Sequence, residues 1–451
     1  MTVVPAVRPA QASFAEPDAE LSAAIAAEQR RQADSLVLVA SSSIAHPAVL
    51  KAMGSTSVNV TAEGYPGRRY HAGCAIVDRI ERLAIERAKA LFGARYANVQ
   101  PHSATTANQI VMASLLRPGD TILGMSLDQG GHLSHGSPPS LSGQYFRAVG
   151  YGLDQAETID YDQVARLAAE HRPKLIICGA TAYPRTVDFA RFRQIADDAG
   201  AYLLADISHI GGLVAAGLHQ NPVDYAHVVT TCTHKQLYGP RGGLILIGKD
   251  AQAPAPDGRG TLEQHFQRAV FPFFQGAPAV NVIAGKAAAL RLAATDGFRH
   301  LACRIAGDAA ALAAELSGRS IRIVSGGTDN HIVLADLTEL GLTGHQAERA
   351  LEEAGIVVNK NRIPGDRRSA VDTSGIRIGT NTVAFRGLGP SEMVVCADLI
   401  AEVITAARAG LPLAREVRDK VRRSVGELCA DFPIPGYAVP DYPVPGYGAR
   451  P

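Results

Sequence analysis

The sequence predicts an α/β fold: a large domain with a mostly parallel sheet, followed by a smaller α+β domain. Three observations carry this. Short apolar runs between residues 120 and 248 alternate with helical stretches, the pattern of βαβ units whose sheet is buried on both faces. The chain has 451 residues, 47% hydrophobic and 19% charged, so it can fill a large core, and at roughly 150 residues per domain it is too long for one compact unit. After about residue 320 the pattern changes to strand candidates SIRIVSG and NHIVLADL, then the helical GHQAERALEEAG.

Taken in order, residues 1–18 read as a mobile arm. The Ala, Glu and Arg content of AELSAAIAAEQRRQ predicts a first helix over residues 19–32. From Ser41 to Gly73 the chain is rich in Gly, Ser and aromatic residues without periodicity, a long loop of the kind in which function concentrates. Val77, Ile80, Leu83, Ala84 and Ala88 recur at helical spacing up to Leu91. The strand candidates are then DTILGM (120–125), KLIICG (174–179), AYLLAD (201–206), HVVTTCT (227–233) and GGLILIG (242–248). An Ala- and Leu-rich run, 280–316, reads as long helix bridging to the second domain. The expected organisation is therefore an N-terminal helix and loop segment (19–75), a large domain (76–295), a small α+β domain (296–432) and a Pro/Tyr-rich tail (433–451) that cannot form a regular element.

Lys plus Arg exceed Asp plus Glu by one, 44 against 43, so no net field favours nucleic acid or an anionic membrane surface. Cys74, Cys178, Cys232, Cys303, Cys396 and Cys429 lie far apart with no CxxC and no zinc-type spacing, a reduced, cytoplasmic pattern with no metal expected. Pro5, Pro9, Glu16 and Asp18 interrupt the N-terminus where a signal peptide needs an apolar stretch. No run approaches the roughly 18 apolar residues of a membrane-spanning helix.

Ligands of open α/β sheets sit outside the carboxyl ends of the strands. There the sequence places Asp206 and His209 after one run, and His234 and Lys235 after another. A carboxylate that keeps a pyridine nitrogen protonated, and a desolvated lysine that forms a Schiff base, together describe a pyridoxal phosphate site. Taken alone, Lys235 reads more readily as a solvated loop lysine and Asp206 as a helix cap, since most Lys and Asp residues are solvated. Ser103, Thr105 and Thr106 open a helix after the short run YANVQ, an anion site suited to a phosphate or a plain N-cap. His132, after two glycines, would lie flat on a cofactor ring or sit on a surface turn.

The stretches AEGYPGRRY, ANVQPHSATTAN, DQGGHLSHGS, GATAYPR, ADISHIGGLVAAGL, VVTTCTHKQLYGPRGGLIL and TSGIRIGT occur in order. With them the chain resembles the serine hydroxymethyltransferases from about residue 20 to 432. The resemblance implies a fold type I pyridoxal phosphate enzyme with a seven-stranded sheet, and a homodimer or tetramer with shared active sites. It implies Lys235 as the Schiff-base lysine, Asp206 at the ring nitrogen, His132 on the ring, and His209 and Thr181 near the phenolic oxygen. Ser103, Ala104 and Thr105 would hold the phosphate, with Gly276 approaching from the neighbouring subunit. Arg377 would bind the substrate carboxylate, a task that suits a guanidinium, and Ser41 would be a further substrate-binding residue. Glu63 would be the acid/base group, with His234, Tyr70, Thr61 and His71 nearby. Leu127, Gly131, Leu133 and Asn361 would face tetrahydrofolate, the cosubstrate.

Departures from the family pattern cluster around substrate and folate. LVASSS places Ser42 and Ser43 where Glu and Asn are usual, Thr61 and His71 replace tyrosines, Ala104 a glycine, and Cys232 a threonine. Ala370 and Val371 stand where proline and phenylalanine are usual. Thr61 leaves room for a methyl group beside Cα, so the acceptor is either glycine, giving serine, or D-alanine, giving 2-methylserine. A folate-independent aldolase or transaldolase, and a catalytically silent homologue, are the alternatives; the retained Lys235, Asp206, His132, Glu63 and Arg377 count against the last. A metal-dependent aldolase would need a convergent His/carboxylate cluster.

Overall fold

The computed structural model describes residues 18–437; residues 1–17 of the expected arm and 438–451 of the expected tail lie outside them. The five apolar runs become strands of one seven-stranded sheet, completed by two further segments, the first and third in chain order: β1 (Tyr96–Asn98), β2 (Thr121–Met125), β3 (Arg147–Tyr151), β4 (Leu175–Cys178), β5 (Tyr202–Asp206), β6 (Val228–Cys232) and β7 (Gly243–Ile247). Their order is β1-β7-β6-β5-β4-β2-β3. All neighbours pair in parallel except β7, which runs antiparallel to both β1 and β6. The uninterrupted apolar runs have a direct cause: both faces are covered. Leu203, Val229, Leu244 and Leu246 join one core and Leu204, Val228, Ile245 and Ile247 the other, each buried side chain contributing about 1.5–3 kcal/mol.

Strand β3 carries no such run. It lies at the sheet edge, where of RAVGY only Tyr151 is buried, so its sequence lacks the signal of the central strands.

A second, antiparallel sheet of four strands runs in the order Arg322–Ile323, Ile332–Asp336, Gly375–Gly379, Asn359–Asn361. Its own core, with Val333, Ala335, Ile376 and Ile378, is covered by helices Gly344–Glu353, Pro390–Ala409 and Arg415–Asp431. The expected single helix over 280–316 is instead two, Val280–Ala293 and Asp296–Gly318. Thr295 breaks it: its hydroxyl accepts from Phe298 N (3.3 Å), as an N-cap does, and donates to Leu292 O (2.7 Å).

The first helix, Ala19–Asp34, is capped by Asp18. Leu36–Val37 then pairs in parallel with Ile356–Val357, which draws the following loop across to the second sheet. Pro433–Tyr437 forms no regular element but packs: Ile434 is buried and Tyr437 Oη donates to Ala45 O (2.7 Å). All six cysteines are unpaired. Among the described residues no helix is long and apolar enough to cross a membrane.

Candidate active site

Five chain segments that leave the carboxyl ends of β2, β4, β5 and β6, or open the helix Ala104–Leu115, converge on a cavity of about 300 Å3. Ser103, Ala104, Thr105 and His132 line it, as do Thr181, Asp206 and His209. His234 and Lys235 complete the large-sheet contribution, Ser41 comes from the loop after Leu36–Val37, and Arg377 from the second sheet. Eleven of the sequence-predicted site residues thus share one cavity.

Asp206 closes β5 and is buried. Its Oδ2 accepts from Asn108 Nδ2 (2.7 Å) and meets His135 Nε2 (3.0 Å), while its Oδ1 accepts from Ser208 N (3.0 Å) and Oγ (2.5 Å). Burial alone would raise its pKa, but the His135 contact and the Ser208 hydroxyl outweigh that and hold the carboxyl well below the usual range. Asp206 is therefore a fixed anion in a low-dielectric site. Lys235 is almost wholly buried, and desolvation pulls its ammonium below the ordinary lysine value despite the raising influence of Cys232 and Asp206. Its Nζ makes no hydrogen bond among the described residues, so an amine with a weakened hold on its proton faces the cavity.

His132 Nδ1 meets the backbone N (3.2 Å) and Oγ (2.8 Å) of Ser134. Desolvation, helped by the neighbouring His135, pushes it down to about 4. His209 Nε2 lies 2.8 Å from Thr181 Oγ1, and burial beside Lys235 and Arg377 holds it well below its ordinary value. Desolvation and the charges of Lys235 and Arg241 put His234 at about 4. All three are neutral imidazoles at pH 7. Ser103 caps the helix Ala104–Leu115, accepting from Thr106 N (2.9 Å), which leaves the N–H groups of the first turn facing the cavity. The bland reading of Ser103 as an N-cap is thus correct without competing with an anion seat.

Arg377 Nε donates to Asn359 Oδ1 (3.1 Å) and Nη1 to Thr181 Oγ1 (3.0 Å) and O (2.5 Å). These bonds aim the guanidinium into the cavity and leave Nη2 without a partner among the described residues. Burial lowers its pKa to about 10, so it remains cationic.

A second cluster forms elsewhere on the same chain. Glu63 Oε1 is 3.6 Å from where a Cβ on Gly276 would stand, the Tyr70 ring is 5.6 Å edge-on to Phe271, and Tyr65 Oη donates to Gln267 O (2.6 Å). Thr61, Glu63, Tyr70, His71 and Gly276 do not line the Lys235 cavity, and Thr61, Tyr70 and His71 are exposed. Arg69 fastens this loop from beneath, reaching Ala62 O, Gly64 O, Asp78 and Glu81. Leu127 and Leu133 are exposed on two short turns flanking His132. Gly131 is closed off by Met125 O, 2.0 Å from where its Cβ would be. Asn361 Nδ2 donates to Arg362 O (2.6 Å).

Three supporting residues escaped the sequence reading. His135 is the second histidine of DQGGHLSHGS, and Asn108 is a polar residue on the buried face of an apolar helix; that misfit was its signal. Ser208 had none. Of two more open depressions, the one of about 590 Å3 brings Lys89 and Glu263 together, but both are only half-buried, and the one of about 730 Å3 around Tyr183 and Arg185 has no lysine in its lining.

A buried anion, a desolvated lysine, a neutral histidine face and a helix N-terminus around one cavity fit the ring nitrogen, aldehyde, ring face and phosphate of pyridoxal phosphate. A model of the serine hydroxymethyltransferase family, whose enzymes carry pyridoxal phosphate on a lysine and use tetrahydrofolate as cosubstrate, matches residues 14–400. The chain is therefore a member of the serine hydroxymethyltransferase family, with that family's fold type I architecture and its hydroxymethyl-transfer chemistry.

Proposed function

We propose that this chain is a 2-methylserine-type hydroxymethyltransferase, which makes or cleaves the Cα–Cβ bond of a β-hydroxy amino acid with D-alanine as acceptor and tetrahydrofolate as one-carbon carrier. The observation that carries the choice of acceptor is Thr61, two residues from Glu63, in a position where the family pattern has a tyrosine. The missing ring leaves volume for an α-methyl group.

Pyridoxal phosphate, when bound, supplies an electron sink for the pair left on Cα as a bond there breaks. Lys235 would attach it, its Nζ nucleophilic because burial disfavours the ammonium. Asp206, an anion locked by Asn108, His135 and Ser208, would keep the proton on the ring nitrogen. His132 would cover one ring face, His209 and Thr181 would serve the phenolic oxygen, and Ser103 with the N–H groups of Ala104 and Thr105 the phosphate. Arg377, with Ser41 beside it, would take the substrate carboxylate through the free Nη2. His234, neutral next to Lys235, adds no competing charge.

Glu63 would move the proton at the substrate's β-hydroxyl. It stands with Gly276 and Tyr70 apart from the cavity of its own chain, so a second copy would supply this set in a shared homodimeric site. Leu127, Leu133 and Asn361 would meet the folate.

Steady-state kinetics with D-alanine and glycine as acceptors, each with methylenetetrahydrofolate or with free formaldehyde as the one-carbon donor, test this reading. Pocket volume discriminates by about 10–200-fold per methyl-sized difference, so D-alanine should lead by at least roughly tenfold in kcat/KM, and Thr61→Tyr should move the preference to glycine. Folate-dependent turnover of glycine alone would make it an ordinary serine enzyme. Retro-aldol turnover indifferent to folate would favour the folate-independent aldolase, in keeping with the non-aromatic Ala370 and the exposed Val371.

A further inference from the structure

Lys286, on the helix Val280–Ala293, is among the most buried large side chains of the molecule, 1% exposed. Its ammonium donates to three backbone carbonyls, Val99 O (2.7 Å), Pro101 O (2.9 Å) and Gly243 O (2.9 Å), and no carboxylate pairs with it among the described residues. Burying a cation costs several kcal/mol, and desolvation pulls Lys286 down to about 7 against the raising influence of Glu81; three carbonyl acceptors nonetheless call for three N–H donors, which only the ammonium has. The location gives the charge a use. Val99 and Pro101 lie on the segment from β1 to Ser103, and Gly243 opens β7. Gly243 N also donates to Pro101 O (2.9 Å), and a Cβ on Gly243 would stand 2.3 Å from Ser103 O. A Cβ on Gly242 would likewise stand 2.2 Å from Lys286 Cε. Two glycines thus make room for the lysine and for the Ser103 loop directly above it. The charge is felt at the loop: beyond desolvation, it helps to push down His102, the neighbour of Ser103.

We propose that Lys286 is a positioning residue for the cofactor's phosphate: it ties the loop that presents the Ser103, Ala104 and Thr105 donors to the edge of β7 and sets a positive charge, held by three carbonyls, behind them. This rests on the assignment of those donors as the phosphate seat. Oriented dipoles backed by a buried cation favour a dianion without exposing the cation to exchange with solvent ions.

The test uses full-length protein freed of cofactor and titrated by absorbance with pyridoxal phosphate and, separately, with pyridoxal, which lacks the phosphate. Lys286→Gln keeps a donor and removes the charge. It should weaken pyridoxal phosphate binding about tenfold, the size of effect that residues supporting a direct ligand contact have, while pyridoxal binding stays within about twofold. Wild-type affinity for pyridoxal phosphate in Lys286→Gln, or an equal loss for both ligands, would overturn the proposal, the second by reducing Lys286 to a general support. Should that variant not fold, Lys286→Arg should retain the preference for the phosphorylated ligand and Lys286→Met should lose it; equal preferences in the two overturn it. Ser103→Ala separates the underlying assignment: if it leaves pyridoxal phosphate binding unchanged, the seat is elsewhere and the inference falls with it. If Ser103→Ala weakens binding and Lys286→Gln does not, only the inference falls.

Discussion

At the scale of single residues, burial decides the state of the histidines in and around the cavity. His132 and His234 are pushed to about 4 and His331 to about 3, in each case by desolvation first. His331 lies outside the predicted set; it stacks on His209 at 5.7 Å and its Nε2 meets Ala40 O (3.1 Å). In the unfolded chain these groups titrate near their ordinary value, about 6.5. Their folded values are lower, so the unfolded state takes up protons first as pH falls. The stability they share is complete above about pH 6.5 and is lost on acidification towards pH 4. Asp308, raised by desolvation to about 6, works in the opposite sense over part of that window. The His331→Gln variant isolates the histidine contribution. Cofactor-free wild type should lose roughly 2–3 kcal/mol more than the variant between pH 6.5 and 4, measured by denaturant unfolding at each pH; parallel curves would refute this. Of the residues around Asp206, the sequence marked the anion but not His135 and Ser208, because a supporting hydrogen bond leaves no periodicity or motif of its own.

At the scale of elements, the strands of the central sheet were legible because two-sided burial demands unbroken apolar runs. The edge strand β3 was not, since water on one side relaxes that demand. The helix break was present in the sequence as Thr295-Asp296-Gly297, a capping threonine, an acidic first-turn residue and a poor helix former, but the Ala-rich runs on both sides mask so short a signal. What decides is the cap, in which a hydroxyl satisfies N–H and C=O groups that a continuous helix would have paired internally. Thr295→Ala should therefore cost about 1 kcal/mol, read as a lower denaturant midpoint with an unchanged slope. A variant as stable as wild type would mean that packing alone holds the break.

The half-sites raise the question of the whole molecule. Lys235, Asp206 and Arg377 meet in one cavity, whereas Glu63 and Gly276 meet elsewhere on the same chain. If two copies complete each other's sites, Lys235→Ala and Glu63→Gln, each inactive alone, should complement when co-expressed. Random pairing makes half of the dimers mixed, and each mixed dimer has one intact site. Roughly a quarter of the wild-type activity should then return. No recovery would show that each chain uses its own Glu63.

By itself the sequence determined the fold class, the central strands of the large sheet, the cofactor chemistry and most residues of the Lys235 cavity. These follow from local facts: apolar runs for buried strands, polar residues where those runs end, and motifs held in order along the chain. Tertiary structure alone decided that Arg377 of the second sheet reaches Thr181 in the segment after β4, that His135 and Asn108 lock Asp206, that Lys286 lies beneath the Ser103 loop, and that Glu63 stands apart. Each of these joins residues far apart in the chain through a few hydrogen bonds or a close backbone approach, and such contacts depend on how whole layers pack, which no local stretch of residues encodes.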